Sequence, residues 1–302
     1  MAGDNISINF LMERKGIEMK KRMVVRMVLV MLVGLGGAVV FAGLRVENPR
    51  LYDLTGKKSI ALQQLAGELK KKKIVLVGEH HNNTRHHINQ LEVIRALHES
   101  GANVAIGMEM FRSDSQKYLD QWVAGEISEK EFEKIYYANW NYNWPLYAPI
   151  LRYARDYNIP VLGLNVSRKI TSQVARSGFQ SLSDEQRGKL KDVACRVDKV
   201  YMDFIKRAYG AHGHGNMNFE YFCEAQLVWD NIMAINSIEY IRKNPDSTVV
   251  VVAGNGHVWK GGIPTQLENR SFPEYAVILP EIPGVVEKDT VDLGDTDYIF
   301  LE

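Results

Sequence analysis

Residues 74–82 read IVLVGEHHN, which is four consecutive apolar residues, a glycine, and then polar and ionisable side chains. An apolar run without alternation is typical of a strand buried on both faces, as in a parallel sheet. An amphipathic helix is predicted directly after it, and His86 and His87 in its first turn are interpreted as exposed. The stretch therefore predicts a strand–helix unit with Glu79–His81 at the carboxyl end of the strand.

The same order of strand and helix continues along the chain. Further strands are predicted at Asn103–Met108, Ile159–Leu162, Thr248–Ala253, Tyr275–Leu279 and Tyr298–Leu301. A long helix is predicted over Phe219–Lys243, another helix over Ser59–Lys73, and an irregular arm over 43–58. Alternating strands and helices imply βαβ crossovers, so the predicted fold class is α/β with a mainly parallel central sheet and flanking helices.

Two stretches interrupt the α/β pattern. Residues 110–157 and 168–218 are polar, helical and rich in aromatic side chains. We interpret both as insertions at one edge of the sheet that form a helical cap. The predicted domain therefore spans residues 44–302 and consists of the sheet, its flanking helices and this cap.

The N-terminal segment has the pattern of an export signal. Residues 27–44 contain no charged side chain and follow a basic cluster at 20–26. This pattern is typical of a signal peptide, here with a cleavage site after Ala42, or of an uncleaved membrane anchor, and we assign it to 1–43. Residues 1–18 are interpreted as a start-site extension. We expect an exported protein, either periplasmic or anchored in the inner membrane and facing the periplasm.

Composition excludes several classes of protein. Apolar residues make up 46% and charged residues 24% of the chain, which are ordinary globular values. The 37 Lys and Arg nearly balance the 36 Asp and Glu, so no basic surface for nucleic acid is predicted. Two cysteines are too few for a disulfide scaffold.

Polar residues follow four of the predicted strands. Residues 78–81 and 254–257 share the form G-x-x-H, and Glu109 and Asn165 end the two strands between them. In an open α/β sheet, ligands bind in the crevice outside the carboxyl ends of the strands. We therefore expect these side chains to line one crevice.

Histidine and carboxylate side chains in such a crevice suit acid–base or metal chemistry. The candidate catalytic residues are Glu79, His80, His81, Glu109 and His257. The candidate ligands of a divalent metal are His81, His257, Glu79 and Glu109. Asn165 and Asn255 are candidate cofactor-binding residues. The alternative is that these His and Asn side chains only cap turns, and His80 equally fits a supporting, hydrogen-bonded role.

A glycine-rich loop offers a second candidate site. Tyr209, His212 and His214 lie in or beside AHGHGN, and imidazole or tyrosinate can ligate haem iron. On the following helix, Gln226 and Asp230 are four residues apart and share a face. All five are candidate cofactor-binding residues. The alternatives are a solvated loop and an ordinary polar stripe on the helix.

Several of these motifs resemble the ChaN-like family of haem-binding uptake proteins, in the superfamily of Tiki/TraB proteins and erythromycin esterases. The resemblance covers about residues 50–282 and is carried by GEHHN at 78–82, MEMF at 108–111, YAPILRYARDYNIPVLGLNVSRKI at 147–170, AQLVWDNIMA at 225–234 and VVVVAGNGHV at 249–258. It implies a parallel-sheet core with a helical cap, export to the cell envelope, and binding of haem or an iron complex in haem or iron uptake.

The resemblance also implies an alternative function as a metal-dependent hydrolase. The metal-dependent peptidase site of Tiki-type relatives falls on His81, His257, Glu79 and Glu109, and the hydrolytic residues of esterase relatives fall on Glu79 with His80 or His81. Many family members are lipoproteins, whereas the first 50 residues here contain no Cys. A tyrosine is a plausible axial haem ligand in the family, and a haem exposed on one face would favour a homodimer that covers it.

Overall fold

A computed structural model describes residues 49–190, 192–193, 195–209 and 218–302 of the chain. The strands are β1 (Arg50–Asp53), β2 (Lys58–Ile60), β3 (Ile74–Glu79), β4 (Asn103–Arg112), β5 (Val161–Asn165), β6 (Ser247–Gly254), β7 (Tyr275–Pro280) and β8 (Tyr298–Leu301). The helices are α1 (Leu62–Leu69), α2 (Thr84–Glu99), α3 (Gln116–Val123), α4 (Glu129–Asn139), α5 (Trp144–Asp156), α6 (Arg168–Ser177), α7 (Asp184–Gly188), α8 (Lys199–Tyr209), α9 (Phe219–Lys243), α10 (Asn255–Val258) and α11 (Ile263–Glu268).

The strands form one sheet in the order β2-β1-β8-β7-β3-β6-β4-β5. The pairs from β8 to β5 are parallel, and β1 pairs antiparallel with both β2 and β8. The predicted fold class, α/β with a mainly parallel sheet, is therefore confirmed. All residues of β3 and of β6 are buried, which explains why both read as unbroken apolar runs.

The region before β3 differs from the prediction. The supposed arm contains β1, and the predicted helix over Ser59–Lys73 is shorter, because Lys58–Ile60 forms β2 and the helix spans only Leu62–Leu69. Strands of three and four residues are too short to show an alternating pattern. Their stability comes from the pairing of β1 with β8, a contact between the two ends of the domain that local sequence does not reveal.

Most aromatic residues of the first insertion belong to the core. Helices α3, α4 and α5 pack against the side of the sheet that also carries Val75 and Met108, and Trp122, Phe132 and Tyr136 there are fully buried. The Trp122 and Phe132 rings stack with centroids 4.5 Å apart. The insertion is therefore helical as predicted, but its rings mainly cover the sheet. It also begins later, because β4 continues beyond Glu109 to Arg112.

The opposite side of the sheet is covered by α9, α10 and α11, with Ile232 and Met233 among the buried contacts. Helix α9 has the bounds predicted from the sequence. The described residues belong to one compact unit, Arg45–Glu302. None of the helices in the described ranges is long and apolar enough to cross a membrane. The predicted signal or anchor segment, 1–43, lies outside the described residues.

Candidate functional site

The carboxyl ends of β3, β6, β4 and β5 lie side by side and open into a cleft of about 630 Å³. Register brings the first two ends together, because Glu79 of β3 pairs with Gly254 of β6. We call this the strand-end cleft. The predicted residues that line it are Glu79, His80, His81, Glu109, Asn165, Gln226, Asn255 and His257. The expectation that the polar strand ends share one crevice therefore agrees with the structure, while the roles of these residues stay predictions.

Glu79 is a buried carboxylate surrounded by donors. Its Oε1 accepts a hydrogen bond from Tyr147 Oη at 2.5 Å and also lies 2.7 Å from His81 Nδ1. Its Oε2 lies 2.9 Å from His87 Nδ1, without the alignment of a hydrogen bond. Burial alone would raise the pKa of Glu79, but the contacts with His81 and His87 outweigh it and lower the pKa to about 2.

One ring nitrogen of His81 is paired with Glu79, and the other has no such carboxylate partner. Since Nδ1 faces the ionised Glu79, it carries the proton, and Nε2 is the remaining acceptor. The ring packs against Trp140 and Tyr142, with centroids 5.1 Å and 4.9 Å away. Burial would lower the pKa of His81, but the hydrogen bond to Glu79 and the charge of Glu109 raise it overall.

His257 is held in a matching way by a different carboxylate. Its Nδ1 lies 2.7 Å from Asp230 Oδ1, and Tyr201 Oη donates to Asp230 Oδ2 at 2.6 Å. Burial would lower the pKa of His257, but the charges of Glu109 and Asp230 raise it. The pKa of Asp230 is also raised, because complete burial outweighs its contacts with His257 and Tyr201. Each G-x-x-H histidine is thus bound to a carboxylate that a tyrosine also contacts.

Glu109 lies between the two histidines. Its Oε2 accepts the backbone N–H of Gly254 at 2.8 Å, and its Oε1 is 3.6 Å from His257 Nε2. A Cβ placed on Gly254 would lie 3.0 Å from His81 Nε2 and 3.6 Å from Glu109 Oε2, so all three groups meet beside this glycine. Asn165 donates its side-chain N–H to the Glu109 carbonyl at 2.9 Å and thereby ties β5 to β4 beside the cleft.

The predicted divalent-metal site is not supported. Within the described ranges, no group of three or more His, Cys, Asp or Glu side chains is arranged to hold a metal ion. The reason is that the carboxylates already contact other groups of the protein. Oε1 of Glu79 already faces His81 and Tyr147, its Oε2 faces His87, and Glu109 has one oxygen bound to backbone. Among these four residues only His81 and Glu79 are hydrogen-bonded to each other, while His257 pairs with Asp230 and Glu109 with the backbone of Gly254.

The other predicted residues have different positions. Gln226 is buried at the cleft wall, and Asn255 is buried with neither amide atom hydrogen-bonded to the described protein. Asp230 lies behind His257 and not in the wall of the cleft. Tyr209 is the last residue of α8. His212 and His214 lie outside the described residues.

Sequence reasoning missed several residues of the site. His86 and His87 are buried and not exposed, and burial lowers the pKa of His86 to about 4. Helical spacing could have revealed this, because His87 lies on the same face as Leu91 and Ile94, both buried. Nothing in the sequence identifies Tyr147 or Tyr201 as carboxylate partners, since both contacts join distant parts of the chain.

Comparison with known proteins identifies the family of this chain. The family model described as haem-binding uptake, Tiki superfamily, ChaN matches residues 65–267. The solved structure of ChaN of Campylobacter jejuni, described with cofacial haem binding, is similar at a TM-score of 0.66 and 20% identity, covering 85% of this chain and 97% of that chain. An erythromycin esterase in its open conformation has a TM-score of 0.48 and 14% identity, covering 76% of each chain.

A curated relative is the chloroplastic protein RETICULATA-RELATED 5 of Arabidopsis thaliana. It is 28% identical over 103 residues, which are 32% of this chain and 14% of that protein, so the chain spans only a small part of this relative. At these identities the structural similarities concern the fold. The family model, in contrast, matches more than half of the chain and includes β3, β4, β5 and β6 with their polar ends. The chain therefore belongs to the ChaN family of haem-binding uptake proteins in the Tiki superfamily.

Proposed function

We propose that this protein binds haem in the strand-end cleft, with His81 Nε2 as an iron ligand, and that binding serves haem or iron uptake. The observation that supports this most is the pair formed by His81 Nδ1 and Glu79 at 2.7 Å. Histidines that ligate metals almost always donate their other ring N–H to a carboxylate, a carbonyl or water. His81 thus has the tautomer and support of a ligand.

The surroundings of His81 fit a planar, dianionic cofactor. Gly254 lacks the Cβ that would lie 3.0 Å from His81 Nε2, so the His81 ring packs against this glycine without a clash. Trp140 and Tyr142 add flat aromatic walls, and rings of this kind pack well against a conjugated macrocycle. Arg168 and Arg112 at the cleft supply cations for propionate groups. Haem would supply an iron with axial positions for protein ligands.

Haemin titration of the full chain tests the ligand. His81→Ala should lose the Soret shift, or weaken binding by more than the about 10–100-fold that loss of an outer-shell partner costs. His98→Ala is the matched control, because His98 lies in α2 and bonds to Tyr153 away from the cleft. Unchanged binding and spectrum in His81→Ala would overturn the assignment.

Two further variants test the other candidate ligands. Tyr142→Phe removes the hydroxyl of the exposed tyrosine whose ring centroid lies 4.9 Å from that of His81. The double variant His212→Ala/His214→Ala tests the glycine-rich loop, and Tyr209→Phe tests its flank. Loss of the Soret shift in one of these variants, with His81→Ala unaffected, would move the ligand to that residue.

Export, membrane attachment and a homodimer remain part of the proposal. Their support is the basic and apolar pattern of residues 20–44 and membership of an uptake family. A reporter fused after Glu302 should be active outside the cytoplasm, and activity only inside would refute export. Sedimentation with and without haemin should show whether haem promotes a homodimer that covers the cleft.

A second candidate function is acid–base hydrolysis in the same cleft. It is favoured by Glu109, which lies 3.6 Å from His257 Nε2 and next to His81 Nε2. One imidazole could take a proton from water while the other protonates a leaving group. Hydrolysis of p-nitrophenyl acetate and of a fluorogenic peptide should then fall in His257→Ala while haemin binding persists. Hydrolysis unaffected by His257→Ala would exclude this function.

A further inference from the structure

We propose that a second cavity, on the α9 side of the sheet, binds an organic anion with an apolar body, such as a medium-chain fatty acid. The cavity has a volume of about 670 Å³, and small-molecule sites typically measure about 300–1,000 Å³. It lies between α9, α11 and the segment that leads into α8, and no described residue lines both this cavity and the strand-end cleft. The proposal therefore does not depend on haem binding.

One face of α9 forms the apolar wall of the second cavity. Leu227, Ile235 and Ile238 recur at helical spacing along that face, and all three line the cavity. Phe204 and the exposed Val200 of α8 line it as well. A hydrocarbon chain that covers these side chains removes apolar surface from water, which favours binding.

Gln266 of α11 provides a buried polar group in the second cavity. Only 5% of this residue is exposed, and it lines the cavity with a side-chain amide that has no hydrogen-bond partner in the described ranges. Its backbone carbonyl, in contrast, accepts a hydrogen bond from Arg270 Nη1 at 3.1 Å. A buried amide without a partner costs free energy, so a ligand oxygen that accepts its N–H would remove that cost.

The second cavity also contains arginines that form no ion pair within the described part of the chain. Arg270 donates to the Asp192 carbonyl at 3.2 Å and to Asn231 Oδ1 at 2.8 Å, and both acceptors are neutral. Burial lowers the pKa of Arg270, although the charge of Asp192 opposes this shift. Arg242 lies in the last turn of α9. A carboxylate ligand matches the planar donors of a guanidinium group.

Three carboxylates line the second cavity as well, namely those of Asp192, Asp198 and Glu239. Asp192 and Asp198 are exposed, and Asp198 already accepts the backbone N–H of Tyr201 at 2.8 Å. Glu239 already interacts with another group of the protein. Water screens the exposed carboxylates, whereas Arg270 is partly buried, so the inner part of the cavity favours an anion over a cation.

Isothermal titration calorimetry of the full chain with decanoate tests the ligand class. Decanoate should bind saturably. Decylamine keeps the hydrocarbon chain but reverses the charge, and acetate keeps the charge but lacks the chain. Both should bind at least about 10-fold more weakly, because each loses either the contact with arginine or the burial of apolar surface.

Two variants test the location of the ligand. Gln266→Leu and Arg242→Met should each weaken decanoate binding by about 10-fold, as expected for the loss of one hydrogen bond to a charged group. Gln266→Leu should also raise the midpoint of urea denaturation, because it replaces an unpartnered buried amide with an apolar group. A purely structural glutamine would lose stability instead. Arg176→Met is the control, because Arg176 is exposed on α6 and lines neither cavity.

Several results would overturn the proposal. These are equal binding of decylamine, unchanged decanoate affinity in both variants, or no saturable binding of decanoate at millimolar concentration. Weaker decanoate binding only in Arg168→Met would place the anion in the strand-end cleft and would also overturn it. If Gln266→Leu does not fold, Arg242→Met and its control still decide. Haemin binding should stay at the wild-type level in both cavity variants, so a failure of the haem proposal is a separate result.

Discussion

The substitution Gly254→Ala should displace the His81 ring without altering any ionisable group. The backbone at Gly254 has φ −60° and ψ 146°, which alanine adopts without strain, so the effect is purely steric. The added Cβ would lie 2.9 Å from His81 Cε1 and 3.0 Å from Nε2, against 3.4–4 Å for an ordinary contact. The ring must move by several tenths of an ångström.

That movement is costly because the ring is held on several sides. Glu79 bonds Nδ1 at 2.7 Å, and Trp140 and Tyr142 pack against the ring. Losing a charge-assisted hydrogen bond costs about 1.5–3 kcal/mol, which is roughly 10- to 100-fold in affinity if the bond is lost in the complex. Overpacking a buried site costs about 1–3 kcal/mol of the free energy of unfolding.

Haemin titration and urea denaturation of the full chain measure both quantities. Gly67→Ala is the control, because Gly67 lies inside α1 and an added Cβ would meet nothing within 4 Å. That control should keep haem affinity and gain about 0.5–1 kcal/mol of stability. Wild-type haem affinity and stability in Gly254→Ala would refute the reasoning that His81 is held against this glycine.

Three further predictions concern stability. The pKa of Glu79 is lowered from 4.5 to about 2, so its stabilisation is present above the higher value and lost as pH falls through the lower one. Urea denaturation between about pH 5 and pH 2 should show a loss of about 3 kcal/mol that Glu79→Gln lacks. Tyr201→Phe leaves one oxygen of the buried Asp230 without its donor and should cost about 1–3 kcal/mol, whereas exposed Tyr157→Phe should stay within about 0.5 kcal/mol. Ser128→Ala removes the capping box of α4 and should cost about 1 kcal/mol in thermal or urea unfolding.

The sequence predicts local features well where the pattern is long. The unbroken apolar runs of β3 and β6 and the full extent of α9 follow from hydrophobic periodicity, which depends only on neighbouring residues. Periodicity fails for short elements such as β1 and β2, whose stability depends on the pairing of β1 with β8. It also misplaced the aromatic residues of the first insertion, because composition does not distinguish a core ring such as Trp122 from a binding surface.

By itself, the sequence determined the fold class, the polar residues at the strand ends, and the expectation that they share one crevice. Only the tertiary structure decided their partners. Because β6 inserts between β3 and β4, the two G-x-x-H turns become neighbours with Glu109 between their histidines. The buried carboxylates Glu79 and Asp230 then receive Tyr147 and Tyr201 from distant helices. Periodicity records which face of an element is buried, but contacts between elements depend on strand order and packing, which no local pattern encodes.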